Sequence, residues 1–156
     1  MGLVKKLGVA RDAAGAELAG LKFLECDLLY SEFTDSTSTT GYYDIPQQLP
    51  AGCLVLGWSA QIVTAFLGDT TGTIAVGTSA TADIFTCHTD PSAYTAAFVS
   101  GSPLDSVDIN ANANPVVNTA TTVRITITGS SAWSNVTAGR MKFVLAYVDY
   151  RPTLAA

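Results

Sequence analysis

Two segments of this chain alternate between apolar and polar or small side chains, and that alternation restricts its fold more than any other feature. Over Thr121–Thr128, Val123, Ile125 and Ile127 point one way, while Thr122, Arg124, Thr126 and Thr128 point the other. A period of two belongs to a β-strand, whose successive side chains leave opposite faces of the sheet. Over Cys53–Phe66 the same period predicts a long strand with a bulge at Gly57. It places Leu54, Leu56, Trp58, Ala60, Ile62 and Phe66 on one face, and Val55, Gly57, Ser59, Gln61, Val63 and Ala65 on the other. A third segment, Met141–Tyr150, is apolar on both faces: Met141, Phe143, Leu145 and Tyr147 on one, Val144, Ala146, Val148 and Tyr150 on the other. Such a strand is suited to water on neither side, so it packs on a core and also against a second layer or another subunit.

The remaining segments extend the pattern. Leu21–Tyr30 is rich in β-formers, and Tyr42–Ile45 reads as a short strand before a turn that Pro46 and Pro50 bracket and Ala51-Gly52 ends. Gly68–Gly72 reads as a turn into Thr73–Thr78, with Ile74 and Val76 inward, as the partner of the preceding strand in a hairpin. Residues 79–118 read as short strands in long loops, with apolar runs at Ala96–Val99 and Val116–Val117. The first twenty residues are Ala/Gly-rich with weak periodicity, and a short helix, a strand at Leu3–Val9 and an arm remain open. Seven to nine antiparallel strands in 156 residues predict an all-β fold. The expected architecture is a single antiparallel β-sandwich domain, jelly-roll-like, over residues 21–156, with an N-terminal arm over residues 1–20.

Charge narrows the partners. Charged residues are only 13% of the chain, and twenty Thr and twelve Ser supply polarity instead. No Lys or Arg occurs from Phe23 to Val123, where ten Asp and Glu stand. Binding a phosphate backbone needs clustered positive charge, so direct nucleic-acid binding is not expected. The longest apolar run, Cys53–Trp58, falls far short of the ~20 residues that span a bilayer. Arg11 and Asp12 interrupt any signal-peptide core after Lys5-Lys6, so synthesis in a cytoplasm is expected, with no membrane partner.

Reactive chemistry is sparse. His88 is the single histidine, and Cys87 beside it points to the opposite face of a strand, a poor geometry for a nucleophile and its base. Cys26, Cys53 and Cys87 form no CxxC pair, so neither a zinc site nor a redox pair is predicted. Asp108, Asn110 and Asn112 resemble the start of a calcium loop, but Ala113 stands where the turn glycine belongs and Thr119 where the bidentate Glu belongs. No Gly-rich phosphate cradle occurs. The expectation is a chain with no enzymatic activity, cofactor or essential metal.

Several short elements carry a resemblance. They are Leu49-Pro50-Ala51-Gly52, Val55-Leu56-Gly57, Val63-Thr64-Ala65-Phe66 with Gly68, Val76-Gly77-Thr78, the Thr-rich Val123–Gly129, and Thr137-Ala138-Gly139-Arg140 leading to Tyr147-Val148. Together, over about residues 42–150, they resemble small β-sandwich virion proteins of tailed bacteriophages. That resemblance implies a structural role in the virion: a capsid decoration or cement protein, or a head or tail accessory protein. It also implies a symmetric homo-oligomer, a trimer first, with the major capsid protein or another virion protein as partner. A mean hydropathy of +0.31 with so few charges agrees, because a free monomer normally relies on a charged surface. The residues expected at interfaces are Lys5, Lys6 and Arg11 in the basic arm, Trp133 in a turn, and Val144, Val148 and Tyr150 on the second face of the last strand. The alternative is a carbohydrate- or receptor-binding sandwich of a tail or fibre, with Trp133, Tyr42, Tyr43 and Tyr94 as its exposed aromatics.

Overall fold

Strand ladders in the computed structural model sort the chain into two antiparallel sheets whose inner faces share one core. The structure describes residues 3–11, 17–36, 38–86, 92–104 and 114–149, and of 3–11 and 17–19 the backbone alone. The strands are β1 (Leu3–Arg11), β2 (Glu17–Leu29), β3 (Thr34–Asp35), β4 (Thr40–Leu49), β5 (Cys53–Leu67), β6 (Gly72–Gly77), β7 (Phe98–Gly101), β8 (Val116–Val117), β9 (Thr121–Gly129) and β10 (Ala138–Asp149). The first sheet runs β1-β2-β10-β5-β7, with β8 also on β5, and the second runs β3-β4-β9-β6. The expected all-β antiparallel sandwich is therefore what the chain forms. Of the readings open for the N-terminal residues, Leu3–Arg11 takes that of a strand, antiparallel to β2 with Lys5 opposite Glu25 and Arg11 opposite Glu17.

The two alternating segments behave as their period dictates. In β9, Val123, Ile125 and Ile127 are fully buried, and in β10, Met141, Phe143, Leu145 and Tyr147 are buried. They meet Leu24 and Leu28 of β2, Ile45 and Leu49 of β4, and Ile74 and Val76 of β6. Burying a side chain of this size contributes about 1.5–3 kcal/mol, so this shared interior dominates the stability of the sandwich.

Two expectations need correcting. The bulge does fall at Gly57: pairing passes from Ala146↔Gly57 to Tyr147↔Val55, leaving Leu56 as the extra residue. An extra residue reverses the parity of everything beyond it. Val55 consequently enters the core, while Leu54 and Leu56 turn to the outer face instead of joining Trp58 and Ile62. The second correction concerns Thr73–Thr78, which is not the hairpin partner of β5. Both sides of β5 are occupied, by β10 on one and by β7 and β8 on the other, so β6 crosses to the second sheet and pairs with β9.

That crossing is anchored at its turn. The Asp69 carboxylate accepts hydrogen bonds from the backbone N–H groups of Thr70, Ser130 and Ser131 and from the Ser130 hydroxyl. Gly68, at φ +117°, lies against the Asn135 carbonyl, where any Cβ would collide. Strand β4 is longer than Tyr42–Ile45, and its pairing jumps from Asp44↔Arg124 to Gln48↔Thr122 around Pro46. A residue with no N–H to donate is tolerated at such an irregularity.

Candidate interaction surface

The outer face of the first sheet is built by strands that show their other side to the core. Since Leu24, Cys26 and Leu28 are buried, Leu21, Phe23, Glu25, Asp27 and Leu29 of β2 face outward. The register then aligns three rows across β2, β10 and β5: Asp27 with Lys142 and Gln61, Glu25 with Val144 and Ser59, and Phe23 with Ala146 and Gly57. Phe98 of β7 stands beyond Gln61, and Ser100 beyond Ser59. The next row holds Leu21, Val148 and Leu54, with Val116 of β8 opposite Leu54.

This face divides by chemistry. At one end Arg140 donates two hydrogen bonds to Asp27, at 2.9 and 2.7 Å, and Glu25 and Lys142 stand beside them. From the row of Phe23, Ala146 and Gly57 onward the aligned residues are apolar. An open depression of about 450 Å³ lies there, bordered by Phe23, Leu56, Gly57, Val144 and Ala146. A smaller one, of about 290 Å³, lies between Glu25, Lys142, Gln61 and Phe98. Phe98 is 78% exposed, the most exposed of the large apolar side chains among the described residues, where Leu29 and Val63 also stand out on β2 and β5. A contiguous apolar patch on a sheet face marks an interaction surface far more often than scattered apolar residues do.

The expected interface residues separate. Val144 and Val148 are half-buried on this face. Trp133 is in the core, packed on Phe33 and Phe66 with ring centroids 5.5 and 6.2 Å away, and so anchors its loop from inside. Lys5, Lys6 and Arg11 are described by backbone only, on the edge strand β1, and Tyr150 lies outside the described residues. Phe23, Leu56 and Phe98 belong to the surface, although nothing in their local sequence sets them apart.

The aromatics of a sugar platform do not assemble. Tyr43 and Tyr94 pack against the core beside the buried Trp133, and the ring of Tyr42 is covered by the Arg124 guanidinium, 3.8 Å from its centroid. Arg124 is held there by two 2.7 Å hydrogen bonds to Asp44. His88, Cys87 and the Asp105–Ala113 part of the calcium-like segment lie outside the described residues. Among the described residues no group of three or more His, Cys, Asp or Glu converges to hold a metal ion, and no helix is long and apolar enough to cross a membrane. The Cys26 thiol is pushed up to about 12 by burial, with Asp27 and Glu32 adding to it, which leaves it protonated and unreactive at neutral pH.

No protein-family model matches this chain, and no curated protein matches it. Among solved structures, a chain of the cyanophage Pam1 capsid asymmetric unit superposes with a TM-score of 0.53 at 19% identity, over 90% of this chain and 98% of that one. At that identity the two chains share a fold, end to end and at nearly equal length.

Proposed function

We propose that this chain is a non-enzymatic structural protein of a tailed-phage virion, a decoration or cement protein of the head. The observation that carries the reading is the whole-length correspondence with one chain of a phage capsid asymmetric unit. Three features support it. The outer face of the first sheet is apolar over the half that holds Phe23, Ala146, Leu21, Val148 and Leu54, as suits a surface covered by a neighbour. Charged residues are only 13% of the chain, which leaves much of its surface suited to contact with neighbours. Successive strands from β4 to β6 and again from β8 to β10 alternate between the two sheets, which supports a jelly-roll-like winding.

In this reading the protein acts as a homo-oligomer bound to the major capsid protein or another virion protein, without nucleic acid, membrane or cofactor. The basic residues Lys5, Lys6 and Arg11 lie on β1 at the edge of the first sheet, and in this reading that edge meets an acidic neighbour. The test is mass spectrometry of gradient-purified virions from the genome that carries this reading frame, together with the frame's neighbours in that genome. Recovery in heads at high copy number, from a frame among head genes, is the expected result. Absence from heads, with oligosaccharide binding by the isolated protein, would favour the receptor-binding alternative.

A further inference from the structure

We propose that the outer face of the first sheet is a two-fold contact between copies of this chain. In it, Phe98 of each copy seats in the depression bordered by Phe23, Leu56, Gly57, Val144 and Ala146 of the other. The inference rests on the reading that the protein self-associates, and it names the surface and the symmetry.

Shape supplies the first argument. Phe98 is a large apolar side chain, 78% exposed, that borders the smaller depression and stands on the same face as the mostly apolar one of about 450 Å³. An apolar cavity of ~150 Å³ already holds benzene, so the ring has ample room. Ser100 and Gly101 of β7 and the following Ser102 complete the border of the depression, and Phe98, 78% exposed, does not fill it within its own chain. A knob and a hole on one face satisfy each other reciprocally when a second copy is placed by a two-fold axis lying in that face.

Charge selects the occupant. This chain carries a net charge of −5, and two copies repel wherever acids alone face each other. On this face the described acids Glu25 and Asp27 are balanced by the bases Arg140 and Lys142. A surface with equal charge of both signs at one end and an apolar remainder is complementary to itself. A strongly basic or acidic partner would be matched by a face of one sign.

Area agrees. Five strands ~4.8 Å apart, along a strand of twelve residues at ~3.4 Å each, make a face on the order of 900 Å². A stable interface of standard size buries about 800 Å² on each partner.

The test is sedimentation of the full chain at micromolar concentration, with Phe98→Ser and Val144→Lys compared against Thr73→Lys on the outer face of the second sheet. The wild type is expected to sediment as a dimer. Phe98→Ser and Val144→Lys each raise the dissociation constant at least ~30-fold, the effect of losing an interface hot spot. Thr73→Lys leaves it unchanged, and all three retain the β-type circular dichroism spectrum and a cooperative melt. A monomeric wild type, a trimer, or variants that dimerise as well as the wild type would overturn the contact. Virion incorporation is scored separately. A dimer broken by Phe98→Ser but absent from virions keeps the contact and overturns the virion role. A chain present in virions whose mass ignores both substitutions does the reverse.

Discussion

The indole N–H of Trp58 donates a 3.1 Å hydrogen bond to the hydroxyl of Thr86, and that oxygen also accepts the backbone N–H of Val76 at 3.0 Å. Trp58 belongs to the first sheet and Val76 to the second, so a single buried oxygen joins the two layers.

Thr86→Val keeps the shape of the side chain and removes this acceptor. Two buried donors are then orphaned, at about 1–3 kcal/mol each. The urea midpoint should fall by an amount equivalent to about 2–5 kcal/mol, while Thr86→Ser, which restores the hydroxyl, should recover most of the loss. A Thr86→Val protein as stable as the wild type would remove the hydroxyl from the account of sheet packing.

Asp69 ties the turn after β5 to the loop after β9. The Ser130 hydroxyl first, then the Ser131 backbone N–H, with those of Thr70 and Ser130, hold its carboxyl well below the usual carboxylate range. A carboxyl depressed in the folded state adds stability that is fully present above its unfolded value of ~3.9 and fades as pH falls below that value. The urea midpoints of wild type and Asp69→Asn should therefore differ at neutral pH and converge as pH drops below ~4. A gap that persists unchanged to pH ~2 would show that charge at Asp69 is not the cause.

Gly41 lies beneath the indole of Trp133, and a Cβ at this position would overlap the ring carbons. Gly41→Ala forces the ring or β4 to move, and overpacking of this kind costs about 1–3 kcal/mol. The expected signs are a lower melting temperature and a red shift of tryptophan emission as Trp133, only 5% exposed in the native core, gains contact with water.

Cys26 is 4% exposed, and its thiol is pushed up to about 12. The native protein should leave Cys26 unlabelled by a thiol reagent at neutral pH over hours, and urea should expose it to complete reaction. Peptide mapping after labelling distinguishes it from the other two cysteines. Rapid native labelling at Cys26 would mean that β2 opens readily.

Strand identity was legible wherever burial is one-sided or complete along a run. Val123, Ile125 and Ile127 on β9, and Met141, Phe143, Leu145 and Tyr147 on β10, could be assigned to the core by counting in twos, because alternation is a property of the backbone itself. The second apolar face of β10 was legible in the same way, and it placed Val144 and Val148 on the side away from the core. Tertiary structure decided the rest. The bulge at Gly57 could be read from the chain, yet whether it sends Val55 or Leu54 inward depends on which residue of β10 pairs beyond it. The sheet that β6 joins depended on β5 having both edges already filled, a competition between strands far apart in sequence. Trp133 is buried by Gly41, Phe33 and Phe66, which reach it from three other segments. Phe23, Leu56 and Phe98 become neighbours of Val144 only through the register of four strands. A sequence encodes the period of each strand locally, because that period needs only adjacent peptide units. It encodes partners, parity beyond a bulge and the composition of a surface only through long-range pairing, which is settled when the sheets close.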